Sequence, residues 1–132
     1  GRRQHELARW QARRDTYGGL LGTAASVKGK AVTALTESWA GTAHRRANSE
    51  ALAEAVEKLA RATDVVLLEG PEEVIHSPAV GLLTAGQGLL MGVASSVGRD
   101  DVPPDLRESL DVYQRRLARL KGAMYQVLHA QD

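Results

Sequence analysis

Apolar side chains return every three or four positions in four successive blocks of this sequence, the spacing that puts them on one face of a helix. In the first block Leu7, Trp10, Tyr17, Leu21, Ala24, Val27, Ala31, Leu35 and Trp39 mark a helix over residues 2–44. No proline interrupts it. Gly18, Gly19, Gly22 and Gly29 oppose it by about 1 kcal/mol each relative to alanine, and the Gly18-Gly19 pair is where it would break. Unbroken, it would reach about 60 Å at about 1.5 Å per residue. That is longer than the next block can cover, so residues 1–16 are expected to project as a basic helical extension.

Residues 41–48 read as a turn, with Asn48 or Ser49 as the cap of a second helix over residues 50–69. Leu52, Val56, Leu59, Thr63 and Val66 form its stripe, while Glu54 with Lys58 and Glu57 with Arg61 are four-residue pairs in the favourable orientation. Val65-Val66-Leu67-Leu68 would suit a buried strand in isolation, but the stripe passes through it without a change of phase. A corner follows at Leu68-Glu69-Gly70-Pro71-Glu72-Glu73-Val74, where Gly70 ends one helix and Pro71 opens the next. Glu72 and Glu73 there meet the positive dipole end.

The third block, over residues 71–97, places Ile75, Ala79, Leu82, Gly86, Leu89, Val93 and Ser96 on a bundle seam. Pro78 lies inside it and predicts a kink, or a restart capped by Ser77. After a loop over residues 98–104 the last helix runs over residues 104–129, with Leu106, Leu110, Tyr113, Leu117, Leu120, Met124 and Val127 or Leu128 as its stripe. Four amphipathic helices with short connections predict one all-α domain over residues 1–132, a four-helix up-down-up-down bundle with a long first helix and a Pro-kinked third. The first and last helices would then lie antiparallel, with Arg115, Arg116, Arg119 and Lys121 at the same end as the arginines of the first.

Composition changes this picture little. The chain has 132 residues, 43% hydrophobic and 25% charged, as an ordinary globular domain does. Aromatic residues are 4% and Phe is absent, so Leu, Val and Ala build the core. The absence of Cys removes disulfides and thiolate chemistry and agrees with a reducing compartment. A net charge of +1 gives no overall attraction to nucleic acid. No signal peptide is visible, and the start at Gly1 rather than Met predicts a trimmed or processed product, so that a signal or anchor could precede it.

Residues 79–98 carry no charge and are long enough to span a membrane, yet Gly81, Thr84, Gly86, Gln87, Gly88 and Gly92 dilute the apolar run, so a buried central helix is expected. The same glycines allow close helix packing, or leave space for a small apolar ligand. Glu73-x-x-His76 matches half of a di-iron carboxylate motif, but the second copy that such a site needs is missing. His5, His44 and His129 have no ligand spacing to one another. No nucleophile elbow, phosphate loop or dinucleotide fingerprint is present, so no catalytic residue, metal or cofactor is expected.

The suggestive surface is basic. Arg2, Arg3, Arg9, Arg13 and Arg14, opposed nearby only by Glu6 and Asp15, share the first helix with Trp10 and Tyr17. Arg2, Arg3, Arg9, Trp10, Arg13, Arg14 and Tyr17 form the candidate interaction surface, for anionic lipid headgroups or for a homodimer through the first helix; Trp10 and Tyr17 either cover the core or make that dimer contact. Nucleic acid is not expected, because Trp10 is the only aromatic residue interleaved with the arginines.

Two segments, Arg13-Arg14-Asp15-x-Tyr17-x-x-Leu20-Leu21 and Leu68-x-Gly70-Pro71-Glu72-Glu73-Val74, resemble a type of small uncharacterised bacterial helical-bundle protein. In such proteins an arginine-rich helix follows an apolar anchor. The resemblance implies a cytoplasmic bundle held near a membrane through a segment preceding Gly1, and no activity. The expected function is therefore a non-enzymatic interaction or scaffold module, self-associating or membrane-held. A ligand-binding or sensory bundle using space around the third helix is the alternative.

Overall fold

The computed structural model describes residues 1–69, 73–99 and 103–130, and it is an all-α four-helix bundle with no strand among them. The helices are α1 (Arg2–Thr36), α2 (Thr42–Glu69), α3 (Glu73–Ser96) and α4 (Pro104–His129). Helix α1 packs along α2, α2 along α3, α3 along α4, and α4 returns to α1; α1 also reaches α3 across the middle. The Gly70-Pro71-Glu72 corner and residues 100–102 of the predicted loop lie outside the described residues.

The stripes predicted for α2 and α3 are buried at every position, from Leu52 to Val66 and from Ile75 to Ser96. The stripe of α4 is buried too, apart from the half-buried Leu110 and Leu128. Helix α3 runs through Pro78 without restarting. Helix α1 runs through Gly18-Gly19 in the same way, because burial of Tyr17, Leu20 and Ala24 around the pair outweighs a glycine cost of about 1 kcal/mol each.

Three expectations are corrected. Helix α1 ends at Thr36, not at residue 44, which gives a helix of about 52 Å rather than 60 Å. Helix α2 starts at Thr42, not at residue 50, so Asn48 and Ser49 are not its cap; Ser49 is buried about two turns into the helix. Leu7 and Trp39 do not belong to the seam, being 56% and 84% exposed: residues 2–9 of α1 are not covered by another helix, and Trp39 lies past the end of α1 at Thr36. Leu20, outside the predicted stripe, is buried in their place.

Side chains close the helix ends. Glu37, just past α1, holds the first two turns of α2: its Oε2 accepts from Asn48 Nδ2 at 3.0 Å and pairs with His44 Nε2 at 2.7 Å. Arg45 donates to the Ser96 carbonyl at the end of α3, where a cation also meets the negative dipole end. Trp10 Nε1 does the same for α4, donating to the Leu128 carbonyl at 3.0 Å.

The His44 and Asn48 hydrogen bonds hold the Glu37 carboxyl below the ordinary carboxylate range. A lowered folded-state value means the stabilisation is complete above the ordinary carboxylate pKa and is lost as pH falls through the lowered one. Thermal midpoints recorded against pH should therefore drop more on acidification for the native chain than for Glu37→Gln. The gap should close at the lowest pH. Parallel curves would show that this turn is not held electrostatically.

In the middle of the bundle, Tyr113 is fully buried and its hydroxyl donates to the Ala24 carbonyl at 2.6 Å. Tyr113→Phe removes the donor and leaves that oxygen with only its helical partner. Urea unfolding should record a loss of about 1–2 kcal/mol. No loss would mean that the bond is not formed in solution.

Candidate functional site

The face of α1 that enters the core changes chemistry at the end of the bundle. Ala24, Leu20 and Tyr17 are buried; at the same three- and four-residue steps towards the N-terminus come Arg13, Arg9, Glu6 and Arg2. Every residue from Arg2 to Arg9 is exposed, so this part of α1 touches no other helix closely enough to be covered. Five arginines fall within residues 2–14 against a single acid, Glu6.

Trp10 is the hinge between the covered and uncovered parts. Its ring is half-buried, its Nε1 is committed to the Leu128 carbonyl, and the Arg14 guanidinium stands 5.4 Å from its ring centroid. That cation–π contact contributes about 0.5–1 kcal/mol at such an exposed site. Tyr17 is only 5% exposed. The aromatic pair that suggested a dimer through α1 is thus used within the chain to cover the core, which corrects the placing of Tyr17 on an open surface.

Between α1 and the end of α2 lies a half-open cleft of about 380 Å³, lined by Arg9, Arg13, Thr16, Tyr17, Val66 and Glu69. Thr16 Oγ1 donates to Glu69 Oε2 at 2.8 Å and ties the two helices on one side of it. Arg9 and Arg13 give one side of the cleft two cations over the apolar Tyr17 and Val66, and the Glu69 carboxylate borders the other, so an anionic group would be held on the arginine side. Comparison with protein-family models, curated proteins and solved structures found no match.

The arginines of α4 do not join this end. Arg116 donates to the Gly81 carbonyl of α3 at 2.8 Å, and Arg115 sits two residues from Tyr113, level with the middle of α1. Lys121 and Arg119 precede by two turns or so the Leu128 carbonyl that marks the level of Trp10.

Two glycines of α3, Gly86 and Gly92, are closely packed by neighbours, while Gly88 faces open space. A Cβ on Gly86 would stand 3.4 Å from a Leu59 methyl, 3.6 Å from the Tyr113 ring and 3.8 Å from a Val27 methyl, and one on Gly92 would collide with the Leu106 side chain. The space that a ligand would need beside these two residues is filled by Leu59, Tyr113 and Leu106. No three His, Asp or Glu side chains among the described residues converge as metal ligands. Burial pushes the Tyr113 phenol above its ordinary range, which keeps it a proton donor to Ala24 and no general base. No buried side-chain nitrogen or oxygen among the described residues lacks a hydrogen-bond partner, so the interior offers no polar group aimed at a missing ligand.

Proposed function

We propose that the protein is a non-enzymatic helical interaction module, held at the anionic cytoplasmic face of a membrane by the cationic end of α1. In this reading the helices run up-down-up-down, Pro78 bends α3, and the bundle serves as a rigid base for residues 2–9. One observation carries the reading: every residue of α1 from Arg2 to Arg9 is exposed, and this uncovered end carries Arg2, Arg3 and Arg9 together with Leu7, which lies one turn from Arg3. A basic helix end with an apolar side chain suits a headgroup layer, where each Lys or Arg contributes about 1 kcal/mol.

Nucleic acid fits less well. Stacking needs open aromatic faces, and the Trp10 ring is engaged by Leu128 and Arg14. The resemblance of the Arg13–Leu21 segment to arginine-rich helices of small bacterial bundles agrees with the membrane reading.

Flotation of the 132-residue chain with phosphatidylserine-rich vesicles tests it. The chain should rise with them at low ionic strength, stay behind with pure phosphatidylcholine vesicles, and be released by salt as screening shortens the range of attraction. Equal recovery with both vesicle types, or none with either, would rule the reading out.

A further inference from the structure

The solvent side of α3 differs from that of its neighbours. Helix α2 turns Glu50, Glu54, Glu57, Lys58 and Arg61 outward, whereas no Asp, Glu, Lys or Arg occurs from Val74 to Gly98. What α3 exposes instead is Val80 at 45%, Met91 at 73%, and Thr84, Gln87 and Gly88. By length and composition α3 could also cross a membrane, but eight of its residues are buried in the bundle. The uncharged face therefore calls for a cover other than its own chain.

Two contacts fix the level of α3 against α4: Gly92 meets the Leu106 side chain, and the Gly81 carbonyl accepts from Arg116. Residue numbers fall along α4 as they rise along α3, so Val112 lies level with Ala85 and Gly86. Around that level the exposed chemistry is arranged in mirrored order. On α4, Glu108 and Arg116 are one turn to either side of Val112, and Asp105 and Arg119 are two turns to either side, all on the flank that meets α3 or next to it. On α3, Thr84 and Gly88 lie equally far on either side of Gly86, and so do Gly81 and the exposed Met91.

We infer that this α3/α4 face binds a second copy of the chain about a twofold axis that crosses both helices at the level of Gly86 and Val112. Rotation about that axis sets each acid against a base of the other copy: Glu108 against the other Arg116, and Asp105 against the other Arg119. The same rotation brings Thr84 over Gly88, where the missing side chain lets backbones approach, and sets Met91 against Gly81 and the Arg116 side chain that lies beside it. The charge order on α4 and the small-to-large order on α3 are separate observations, and both select one axis.

Area decides that both helices take part. The face of α3 alone, about 36 Å by 10 Å, offers about 360 Å² per copy, less than half of the roughly 800 Å² of a standard interface. With the axis at Gly86 and Val112 the copies overlap over residues 76–96 of α3 and 104–120 of α4, which together give about 550 Å² per copy, or about 1,100 Å² in all, just above the lower bound for a specific interface. A bilayer is the weaker occupant, since Asp105, Glu108, Arg116 and Arg119 all border the same face and would lose their hydration in its apolar core. The inference stands apart from the cationic end of α1.

Sedimentation velocity of the 132-residue chain, from micromolar to millimolar concentration, should show a monomer–dimer equilibrium. Thr84→Arg, at an exposed position, places like charges near the axis and should weaken the dimer by about 100-fold or more, with helix content unchanged by circular dichroism. The decisive pair is a chain carrying Arg116→Glu and Arg119→Glu and a chain carrying Asp105→Arg and Glu108→Arg. Each should be monomeric alone, because its flank bears one sign of charge, and the two should form a heterodimer when mixed. A native chain that stays monomeric at millimolar concentration overturns the inference. So does a dimer indifferent to Thr84→Arg, or a mixture that forms no heterodimer. A monomer that rises with uncharged vesicles would assign the face to lipid instead.

Discussion

Leu59→Ala is expected to lower the free energy of unfolding by about 3–5 kcal/mol, the upper part of the range for leucine truncation in a core. The reason lies in what surrounds the side chain. Leu59 is fully buried, and one of its methyl groups faces the bare backbone of Gly86. A cavity costs least where neighbours can move in. Gly86 has no side chain to offer, the Tyr113 ring is held by its bond to the Ala24 carbonyl, and Val27 is confined by its branched Cβ. Domains of this size are stable by about 5–15 kcal/mol in total, so the loss is a large fraction. Urea titration should show the midpoint falling with the slope unchanged. A loss below about 1.5 kcal/mol would mean that the site collapses and that the packing at Gly86 is looser than described. Adding Gly86→Ala to Leu59→Ala should recover part of the loss, since the new methyl enters the vacated space and alanine is about 1 kcal/mol better than glycine within a helix.

That centre was largely legible in the sequence. Leu52, Val56, Leu59, Thr63 and Val66 on α2, and Ile75 to Ser96 on α3, repeat at helical spacing because both helices are covered along their length. The same rule failed towards the ends of α1: Leu7 keeps the spacing where no neighbour covers it, and Trp39 keeps it past Thr36, where the helix has already ended. Periodicity reports which face a side chain is on and not where the partner helix stops. The turn between α1 and α2 was misplaced for a related reason. Residues 42–48 hold no large apolar side chain, so they carry no stripe, yet Ala43, Arg45, Arg46 and Ala47 are strong helix formers and take up the first turns of α2. Helix propensity rather than hydrophobic pattern marks that start.

The candidate site was half legible. Its arginines stand out in the sequence, but the cleft does not, because it is made by Thr16 meeting Glu69 across 53 positions of chain. For Trp10 and Tyr17 the sequence offers both core covering and a dimer contact and does not choose between them. Whether an aromatic residue at a helix end covers its own core or reaches for a partner depends on the length of the neighbouring helix. Here α4 extends far enough for the Leu128 carbonyl to meet Trp10.

Replacing Arg2, Arg3 and Arg9 together by glutamine should weaken binding to phosphatidylserine-rich vesicles by about 100-fold, from about 1 kcal/mol for each of three charges near the surface. All three lie on the exposed part of α1, so the bundle should unfold at an unchanged urea concentration. Lysine at the same positions keeps the charge, and because diffuse attraction to headgroups does not require a guanidinium fork, binding should then be retained within a few-fold. Loss with lysine as well would mean that a shaped guanidinium site, such as the cleft beside Arg9, holds a discrete anion. Leu7→Ala separates the remaining contribution. With its side chain 56% exposed in the free protein, insertion among headgroups would bury it, so this variant should weaken binding by several-fold and do so at high salt as well as low. An attraction that responds to the arginines but not to Leu7 would place α1 above the headgroup layer rather than within it.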